Sequence, residues 1–404
     1  NNMSHIIYFS TFFQPEYRDF YRKKCKTSDN ISASNFSYSL AKGLSVISTK
    51  LTIINIPPIG QFPLNYKSIS SIGSRSIING HEVISIEYSA LYQYQHFSIY
   101  NAIRQTMKRV ISKSEEYCFL FYSLVEPNMM RSVIDYCSEK KINAKFAIIV
   151  PDLIQDMNNP SSILKRIKLK LFNKWYHHIF SKTDAFILLT QQMTERLPIN
   201  DKPYIVVEGL YDTDEEMLEP SKNSTKMIFY SGMLHEKFGI KKLVDAFMRV
   251  PFMDLRLVLC GTGDQVDYIS NCSKIDNRIE YLGIIDHATA LSFQRNAFLL
   301  INPRSAEGEF TKYSFPSKIM EYLASGTPTL IYALPGIPEE YYKYCYVIKE
   351  NQQDVNVLSN YIMTLYNKPQ DELSKTGALA REFIINNKSS IVQSRRIMDL
   401  LNSI

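Results

Sequence analysis

The chain has 404 residues, a length that favours two or three domains over one small module. Hydrophobic residues make up 45% and charged residues 21%, which is close to globular averages and excludes a chain that is disordered as a whole. The formal net charge of +6 favours anionic partners. The net charge alone does not indicate whether the partner is nucleic acid, a phosphate or a lipid surface.

Cysteine spacing and apolar runs bear on the cellular location. The six cysteines are scattered without a C-x-x-C spacing, so neither a disulfide framework nor a zinc site is indicated. No apolar run approaches the length that spans a bilayer, and the first residues lack the pattern of a signal peptide. We therefore expect a cytoplasmic protein without a transmembrane anchor.

Short apolar runs alternate with longer amphipathic stretches along the chain, which is typical of parallel α/β units. In the first half the pattern predicts strands at His5–Ser10, Leu51–Ile56, Cys118–Ser123, Lys145–Val150, Ala185–Leu189 and Tyr204–Val207, and helices at Ser34–Ile47, Ser98–Ser112, Asn128–Lys140 and Ser162–Phe180. In the second half it predicts strands at Met227–Ser231, Leu255–Cys260, Ile279–Leu282, Ala297–Ile301 and Thr329–Tyr332, and helices at Ile240–Val250, His287–Arg295 and Pro316–Ser325. Two similar sheets are implied.

A polar, turn-prone stretch between the two halves, Tyr211–Lys226, is the best linker. We therefore predict an N-terminal Rossmann-like domain at residues 1–210 and a C-terminal Rossmann-like domain at residues 221–380. The chain ends in a charged helical pattern, and we expect residues 381–404 to form a helix that packs back toward the first domain.

The first half also contains two long segments without periodicity, Gln14–Asn30 and Pro57–Asn79. Ligands of open α/β sheets bind beyond the carboxyl ends of the strands. A long loop directly after the first strand therefore predicts a wall for a variable substrate, and a mobile surface loop fits the pattern equally well.

The most informative motif is Thr311–Pro328, TKYSFPSKIMEYLASGTP, which lies between two predicted strands. Ser314 is placed to cap a helix, Pro316 to begin its first turn and Gly326 to close it. The N-terminus of a helix exposes unpaired N–H groups and a partial positive charge. The motif therefore predicts a site for a diphosphate.

Two charged residues follow in the same helix. Lys318 lies in the first turn, where a cation disfavours the helix, so an anion nearby is expected. Glu321 lies three residues further along, where a carboxylate can accept hydrogen bonds from two vicinal hydroxyls of a ribose. From spacing alone, a salt bridge between Lys318 and Glu321 is the simpler interpretation.

These residues resemble the donor domain of GT-B glycosyltransferases, in particular the retaining family four. That family places Glu, seven residues and a second Glu around a strand-to-helix turn. Glu321 matches the second Glu, whose family role is to bind the nucleotide ribose, whereas Tyr313 stands at the first position. The pattern F-P-S-K-x-x-E-Y-x-x-x-G-x-P, from Phe315 to Pro328, is similar to the variant common among bacterial surface-polysaccharide transferases.

A second motif, Tyr230–Phe247, is similar to the family's strand, Gly-Arg-Leu loop, Lys-Gly and helix. Gly232 and Lys237 match, and Met233 replaces the arginine. The resemblance implies that Lys237 neutralises the donor diphosphate, whose charge grows as it leaves. With one of the usual two cations missing, Lys318 is a candidate for the second.

Two weaker motifs complete the succession. Leu257–Gln265 is a strand that runs into Gly261, and Arg278–Leu291 is similar to the family segment whose Leu282–Gly283 backbone reads the base. The resemblance implies that the donor site consists of Gly232, Lys237, Gly261, Leu282, Tyr313, Ser314, Phe315, Pro316, Ser317, Lys318 and Glu321. It also implies two Rossmann-like domains that face each other across a cleft.

In the first half, two acidic residues are candidates for the acceptor side. Asp152 comes just after a predicted strand, and Glu126 follows the segment FYSLVEP. Both are placed by sheet topology to face an acceptor hydroxyl, and each is equally well explained as a loop cap or turn former. The predicted catalytic residues are thus Lys237, Glu321, Asp152 and Glu126.

The stretch Ser161–Lys182 places apolar residues at four-residue steps, with Trp175 among them. Its other faces carry Lys165, Arg166, Lys168, Lys170 and Lys174. A basic amphipathic helix with one Trp is typical of a helix that lies on a membrane surface. Packing on its own sheet with a solvated basic face is the alternative. Because the basic residues alternate with aliphatic ones rather than exposed aromatics, nucleic acid is not expected as a partner.

The sequence therefore predicts transfer of a sugar from a nucleotide diphosphate sugar to a glycan acceptor, most plausibly a lipid-linked intermediate of a bacterial capsule, O-antigen or exopolysaccharide. The resemblance implies retention at the anomeric carbon, no cofactor and no essential metal. On this interpretation the protein is cytoplasmic or peripheral at the inner face of the plasma membrane. Two alternatives remain: a GT-B-like epimerase or phosphorylase, and a catalytically silent scaffold of a polysaccharide assembly complex, which Met233 and Tyr313 would suit.

Overall fold

The computed structural model describes residues 4–26, 31–122, 127–153, 176–212 and 226–404. The chain divides into two compact units, one formed by residues 1–210 with 390–404 and the other by residues 211–389. Each unit contains one sheet with mostly parallel strands, which confirms the predicted α/β class with two sheets. Within the described ranges, no helix is both long enough and apolar enough to cross a membrane.

Up to residue 210, the described part of the first unit contains eight strands and four named helices. The strands are β1 (His5–Ser10), β2 (Leu51–Asn55), β3 (Ser74–Ile78), β4 (His81–Ser85), β5 (Tyr117–Tyr122), β6 (Ala144–Val150), β7 (Ala185–Leu188) and β8 (Tyr204–Val206). The helices are α1 (Arg18–Lys24), α2 (Ile31–Ile47), α3 (Gln95–Val110) and α4 (Pro127–Lys140). Residues 176–182 are also helical.

The second unit repeats the alternation. Its strands are β9 (Lys226–Met233), β10 (Leu255–Thr262), β11 (Ile279–Tyr281), β12 (Leu299–Asn302), β13 (Thr329–Tyr332) and β14 (Tyr346–Ile348). Its helices are α5 (Ile240–Met248), α6 (Val266–Ile275), α7 (His287–Asn296), α8 (Ser317–Ala324), α9 (Val355–Tyr366) and α10 (Gln370–Lys388). The chain then returns to the first unit with α11 (Ser390–Ser403).

The first sheet has the order β3-β4-β2-β1-β5-β6-β7-β8. All neighbouring strands are parallel except β3 and β4. The central strands are buried on both faces, as in the all-buried run of β5, because helices cover both sides of a parallel sheet. This is why continuous apolar runs were sufficient to predict them.

The hairpin of β3 and β4 was not predicted. Ser74–Ile78 lies inside the segment that lacks periodicity, and its side chains alternate between partly buried and exposed. It is an edge strand that pairs only with β4 in the described sheet, and three of its five residues are polar. Asn79 and Gly80, both with positive φ, form the turn, and an Asn-Gly pair is a strong hairpin signal. Helix α1 likewise lies within the other segment predicted to be irregular, Gln14–Asn30.

The C-terminal helical pattern is divided differently from the prediction. Residue 381, the predicted start of the last segment, lies inside α10, which stays in the second unit. The chain leaves helical geometry at Ser389, with φ −63° and ψ 155°, and α11 then packs against α2 in the first unit. The predicted linker lies mostly at residues 213–225, outside the described residues.

The contact between α2 and α11 depends on one glycine. A Cβ atom on Gly43 would lie 2.2 Å from Ser394 Oγ and 2.5 Å from the Ser390 carbonyl oxygen. On α11 the contact includes the backbone carbonyl of Ser390, which, unlike a side chain, cannot rotate away from an added Cβ atom. Glycine therefore allows the last helix to lie close to α2.

We expect Gly43→Ala to destabilise the first unit by about 1–3 kcal/mol, because overpacking outweighs the gain in helix propensity. Val46→Ala, at an exposed position of the same helix, is the matched control and should change stability by less than about 0.5 kcal/mol. Urea unfolding followed by circular dichroism measures both. A Gly43→Ala protein as stable as the wild type would contradict the close packing of α2 and α11.

Candidate functional site

The candidate site lies at the carboxyl end of the second sheet. The strand order is β11-β10-β9-β12-β13-β14, and all strands are parallel. The order reverses direction at β9, which pairs with β10 on one side and β12 on the other. Ligands of such sheets bind at the carboxyl ends of the strands beside this reversal. The four donor-domain motifs predicted from sequence all contain or follow strands of this sheet.

Two glycines allow the ends of β9 and β10 to meet. Gly232 pairs with Gly261, and a Cβ on Gly261 would lie 1.8 Å from the Gly232 carbonyl oxygen. The φ of Gly261 is +131°, which disfavours a side chain independently. The Gly261 N–H also donates to the Gly283 carbonyl oxygen at 2.8 Å. The loops after β9, β10 and β11 are therefore held together by their backbones.

The loop after β9 approaches the end of β12 in the same way. Gly239 has φ +83°, and a Cβ there would lie 2.1 Å from the Pro303 carbonyl oxygen. Gly239 then begins α5, and Lys237 lies just before it in a short 3₁₀ turn, Glu236–Phe238. Lys237 is exposed, with its Nζ 5.0 Å from the centre of the Phe238 ring.

Asp264 fixes the conformation of this loop. Its Oδ1 accepts a hydrogen bond from the Glu236 N–H at 2.9 Å, and its Oδ2 lies 3.1 Å from His235 Nδ1. The Glu236 N–H and the His235 side chain hold the pKa of Asp264 below its ordinary value. The ionised carboxylate thereby positions Lys237, which lies one residue beyond Glu236.

Helix α8 begins differently from the prediction. Pro316 is the N-cap residue and no side chain caps the helix. The Ser314 hydroxyl instead donates to the Phe310 carbonyl oxygen at 3.0 Å and accepts from Arg304 Nη2 at 2.6 Å. Gly326 has φ +80° and ends the helix as predicted. The prediction of a Ser314 cap was wrong because the arginine occupies its hydroxyl.

Glu321 lies among three polar side chains of the site. Its Oε1 accepts hydrogen bonds from Lys318 Nζ at 2.9 Å and Gln294 Nε2 at 2.5 Å, and its Oε2 lies 3.9 Å from His287 Nε2. Burial opposes ionisation, but Lys318, Gln294 and His287 together hold the pKa of Glu321 below its ordinary value. The salt bridge that spacing alone predicted is therefore present, and it keeps Glu321 charged.

Other residues assigned to the donor site have packing contacts. Phe315 is buried, with its ring centre 5.3 Å from that of Tyr341. Tyr313, at the position where the resemblance expects a Glu, is 6% exposed. Leu282 is partly buried against the core cluster that includes Phe229. Ser317 is exposed in the first turn of α8. The packing of Phe315 against Tyr341 thus stabilises the segment that leads into α8.

Arg304 is a functional candidate that the sequence analysis missed. It follows β12 and Pro303, and its guanidinium lies 4.7 Å from the ring centre of Phe310 and 5.6 Å from that of Phe238. Its Nε is buried without a hydrogen-bond partner. Burial lowers the pKa of Arg304, although a guanidinium remains charged in proteins. Its position directly after a strand at the reversal of the sheet order was the available signal.

The acidic candidates of the first half belong to the first unit. Asp152 lies just beyond β6; its side chain is exposed, although partial desolvation raises the pKa of its carboxyl above the ordinary value. Glu126 lies outside the described residues, as do the membrane-facing candidates Lys165, Arg166, Lys168, Lys170 and Trp175. Within the described ranges, no group of three or more His, Cys, Asp or Glu residues is placed to bind a metal ion.

Comparison with known proteins agrees with this arrangement. Residues 212–386, nearly the whole second unit, match the family described as glycosyl transferases group 1. The second unit is therefore a glycosyltransferase domain, and the chain has the GT-B fold. A search of curated protein sequences finds no match.

Solved structures resemble this glycosyltransferase over its full length. Sucrose-phosphate synthase from Thermosynechococcus elongatus has a TM-score of 0.62 and 14% identity, with 99% of this chain and 98% of that chain covered. Anabaena HepE in complex with UDP and glucose has a TM-score of 0.59 and 11% identity, with coverages of 99% and 100%. The lipopolysaccharide outer core galactosyltransferase WaaB has a TM-score of 0.59 and 11% identity, with coverages of 98% and 99%. At these identities the similarity shows the fold.

The ion pair of Glu321 predicts a pH-dependent stability. Its pKa in the folded state is below the ordinary value of 4.5, so its stabilisation is complete above the unfolded-state pKa and is lost as the pH falls through the folded-state pKa. We expect Glu321→Gln to lower the free energy of unfolding by about 1.5 kcal/mol near neutral pH. The difference from the wild type should shrink as the pH falls below 4.5 and through the lower folded-state pKa.

Denaturant unfolding at several pH values measures this effect. Glu372→Gln, which changes an exposed pair with Lys368 on α10, is the matched control and should have little effect at any pH. A difference between wild type and Glu321→Gln that stays constant across the range would contradict an ionised, stabilising Glu321.

Proposed function

We propose that the protein transfers a sugar from a nucleotide diphosphate sugar to a glycan acceptor, a lipid-linked intermediate of a bacterial surface polysaccharide, with retention at the anomeric carbon. The main observation behind the proposal is the ionised Glu321 in α8. It belongs to the same site as the loops at the carboxyl ends of β9 and β10, whose backbones come close together at glycines. A carboxylate can accept hydrogen bonds from ribose hydroxyls, and glycines leave the nearby backbone accessible to a phosphate. The two together suit a ribose attached to a phosphate.

Glu321 binds the ribose in this proposal. Its carboxylate has two oxygens, and Lys318 and Gln294 both donate to the same one, Oε1. The other oxygen, Oε2, is 3.9 Å from His287, a distance longer than a hydrogen bond. Oε2 is therefore the atom that we assign to the vicinal hydroxyls of the ribose, while the bonds to Oε1 fix the orientation of the carboxylate.

The diphosphate is bound by protein cations and the start of α8. The first N–H groups of a helix have no partner inside the helix and carry a partial positive charge. Lys237 and Arg304 lie on the loops after β9 and β12, and Lys318 lies in the first turn of α8. These groups stabilise the charge that develops on the leaving diphosphate, so we propose a reaction without an essential metal or cofactor.

Arg304 takes the place of the arginine that Met233 replaces. Phe238 follows Lys237 directly, and its ring centre is 5.0 Å from the Lys237 ammonium and 5.6 Å from the Arg304 guanidinium. Both cations thus meet at one aromatic side chain. We therefore assign the second diphosphate cation to Arg304, with Lys318 serving both the diphosphate and Glu321.

The acceptor side of the proposal rests on the first unit. We propose that Asp152 and Glu126 act on the acceptor hydroxyl, and that the basic stretch Ser161–Lys182 brings the protein to an anionic membrane. The similarity of fold to WaaB, a lipopolysaccharide outer core galactosyltransferase, supports a surface-glycan acceptor. The similarity to HepE, which was solved in complex with UDP and glucose, supports a nucleotide-sugar donor.

A panel of nucleotide sugars, with and without candidate glycan acceptors, tests the proposal against its alternatives. Transfer, or slow hydrolysis of one donor, is expected. Epimerised donor as the only product would identify an epimerase, and phosphate-dependent cleavage of a glycan would identify a phosphorylase. Binding of no nucleotide sugar would favour a silent scaffold and contradict the proposed donor site.

We expect Glu321→Ala to weaken the binding of the preferred nucleoside diphosphate about tenfold or more, because a charge-assisted hydrogen bond is lost. Calorimetry with the 2′,3′-dideoxy nucleotide makes the test specific: removing the hydroxyls should weaken binding to the wild type but not to Glu321→Ala. Glu372→Ala is the control on the same unit. Equal affinity of wild type and Glu321→Ala for every nucleoside diphosphate would contradict the ribose role.

We expect Lys237→Ala, Arg304→Gln and Lys318→Ala each to lower kcat about tenfold or more, since each removes a cation that faces the developing charge. Lys241→Ala, which changes a lysine paired with Asp245 on α5, is the control and should retain turnover. Thermal unfolding separates lost turnover from lost stability. If Arg304→Gln keeps wild-type turnover while Lys237→Ala is inactive, Arg304 does not bind the diphosphate. Lys237 would then remain as a diphosphate cation.

A further inference from the structure

Large apolar side chains are exposed on two neighbouring loops of the first unit. Leu64 and Ile69, in the segment after β2, are 60% and 62% exposed, and Phe97, in the first turn of α3, is 58% exposed. Leu91, Tyr92 and Tyr94 are exposed as well. We call this set of six residues the apolar surface. Exposed apolar side chains in a group, rather than singly, indicate an interaction site.

Hydrogen bonds hold the two loops together. The Phe62 N–H donates to the Ala90 carbonyl oxygen at 2.7 Å, and the Ala90 N–H donates to the Ile69 carbonyl oxygen at 2.7 Å. The rings of Tyr94 and Phe97 lie 5.5 Å apart. The apolar surface is therefore built on one paired backbone and is not a chance collection of separate loops.

A basic helix borders the apolar surface. The Lys67 N–H donates to the Lys24 carbonyl oxygen at 3.0 Å, and Lys26 Nζ donates to the Pro63 carbonyl oxygen at 2.6 Å. These bonds join the end of α1 to the loop that carries Leu64 and Ile69. The basic residues on or next to α1 and on this loop are Arg18, Arg22, Lys23, Lys24, Lys26 and Lys67.

Acidic residues on the same elements are few. Glu16 and Asp19 precede or lie within α1, and Asp19 is 3.7 Å from Arg22. Glu87 lies before the second loop, beside Gly73. Positive charge thus exceeds negative charge around the apolar surface, which suits a negatively charged partner.

The position of the apolar surface in the sheet connects it with the acceptor. Its loops follow β2 and β4, and α1 follows β1, so all three lie beyond the carboxyl ends of adjacent strands. Asp152 follows β6 at the same edge of the sheet, two strands beyond β1. A lipid-linked acceptor that lies against this surface would present its glycan along the edge where Asp152 is located.

We propose that the apolar surface and its basic border dock the protein on an anionic membrane, with the apolar side chains entering the interfacial region. Tyrosine and phenylalanine suit the boundary between headgroups and acyl chains, and nearby lysines and arginines are attracted by anionic headgroups. The inference rests on the membrane part of the proposed function and adds a docking surface separate from Ser161–Lys182. A water-soluble protein partner would not require this combination of exposed apolar residues with an excess of positive charge.

Vesicle flotation tests the proposal, with vesicles of equal parts phosphatidylglycerol and phosphatidylcholine at low salt. The apolar variant is Leu64→Ser/Ile69→Ser/Phe97→Ser. Its matched control, Met253→Ser/Ile275→Ser/Leu379→Ser, changes exposed apolar side chains of the second unit. The apolar variant should float at least tenfold less than the wild type, and the control should float like the wild type.

A second pair of variants tests the basic border at equal change of charge. Arg22→Gln/Lys23→Gln/Lys67→Gln should also lose flotation at least tenfold. Lys108→Gln/Arg109→Gln/Lys140→Gln, which changes one arginine and two lysines elsewhere on the same unit, should not. Wild-type flotation should decrease with added salt and be weak on phosphatidylcholine alone.

Sugar transfer to a water-soluble acceptor, measured on the same variants, separates failure of this inference from failure of the proposed function. Normal transfer with lost flotation supports the docking surface. Flotation of both surface variants equal to the wild type overturns it, including the case in which only changes at Lys165, Arg166, Lys168 and Lys170 abolish flotation. Lost transfer with unchanged flotation also overturns it and would place the glycan, not the bilayer, on these side chains.

Discussion

The proposed donor site depends on how closely the backbones at the ends of β9 and β10 approach each other. At Gly261 a single methyl group would meet the Gly232 carbonyl oxygen at 1.8 Å, so no other residue fits without moving a strand end. Because β9 lies at the centre of the sheet between β10 and β12, such a movement would displace the loops on both sides of it. The glycines therefore set the positions of Lys237 and of the Leu282–Gly283 backbone before any polar side chain contributes.

Charged side chains add a second set of constraints to the site. A partly buried carboxylate such as Glu321 is costly unless cations and donors surround it, and Lys318 and Gln294 satisfy one of its oxygens. The same network keeps Glu321 ionised and orients it. On the neighbouring loop, Asp264 plays a comparable part by binding the Glu236 N–H. Glu321 holds the Lys318 ammonium and Asp264 holds the loop that carries Lys237, so in the proposed function these cations are in place before the anion binds.

The sequence was sufficient for the buried strands and for the order of the motifs, because parallel strands covered on both faces are continuous apolar runs. It was insufficient where a residue's partner is remote in the chain. The edge strand Ser74–Ile78 looked irregular because half of it faces solvent. Ser314 was expected to cap α8 because local spacing does not reveal Arg304, ten residues earlier, which binds its hydroxyl. The break at Ser389 was missed because both flanking segments are helical and its partner is remote: the Tyr211 N–H donates to the Lys388 carbonyl oxygen at 2.8 Å.

Both units place their unusual side chains at the carboxyl ends of parallel strands, and the physical reason is the same. Strands such as β1 and β9 are buried between neighbours, so most of their buried residues are apolar. The loops beyond them carry no such restriction and can hold cations, as at Arg304, or exposed apolar groups, as at Leu64. A rigid sheet edge fixes the positions of these side chains without determining their chemistry. In the proposed function, the second unit uses this freedom to concentrate positive charge for a diphosphate, and the first combines positive charge with apolar exposure, which suits a lipid surface.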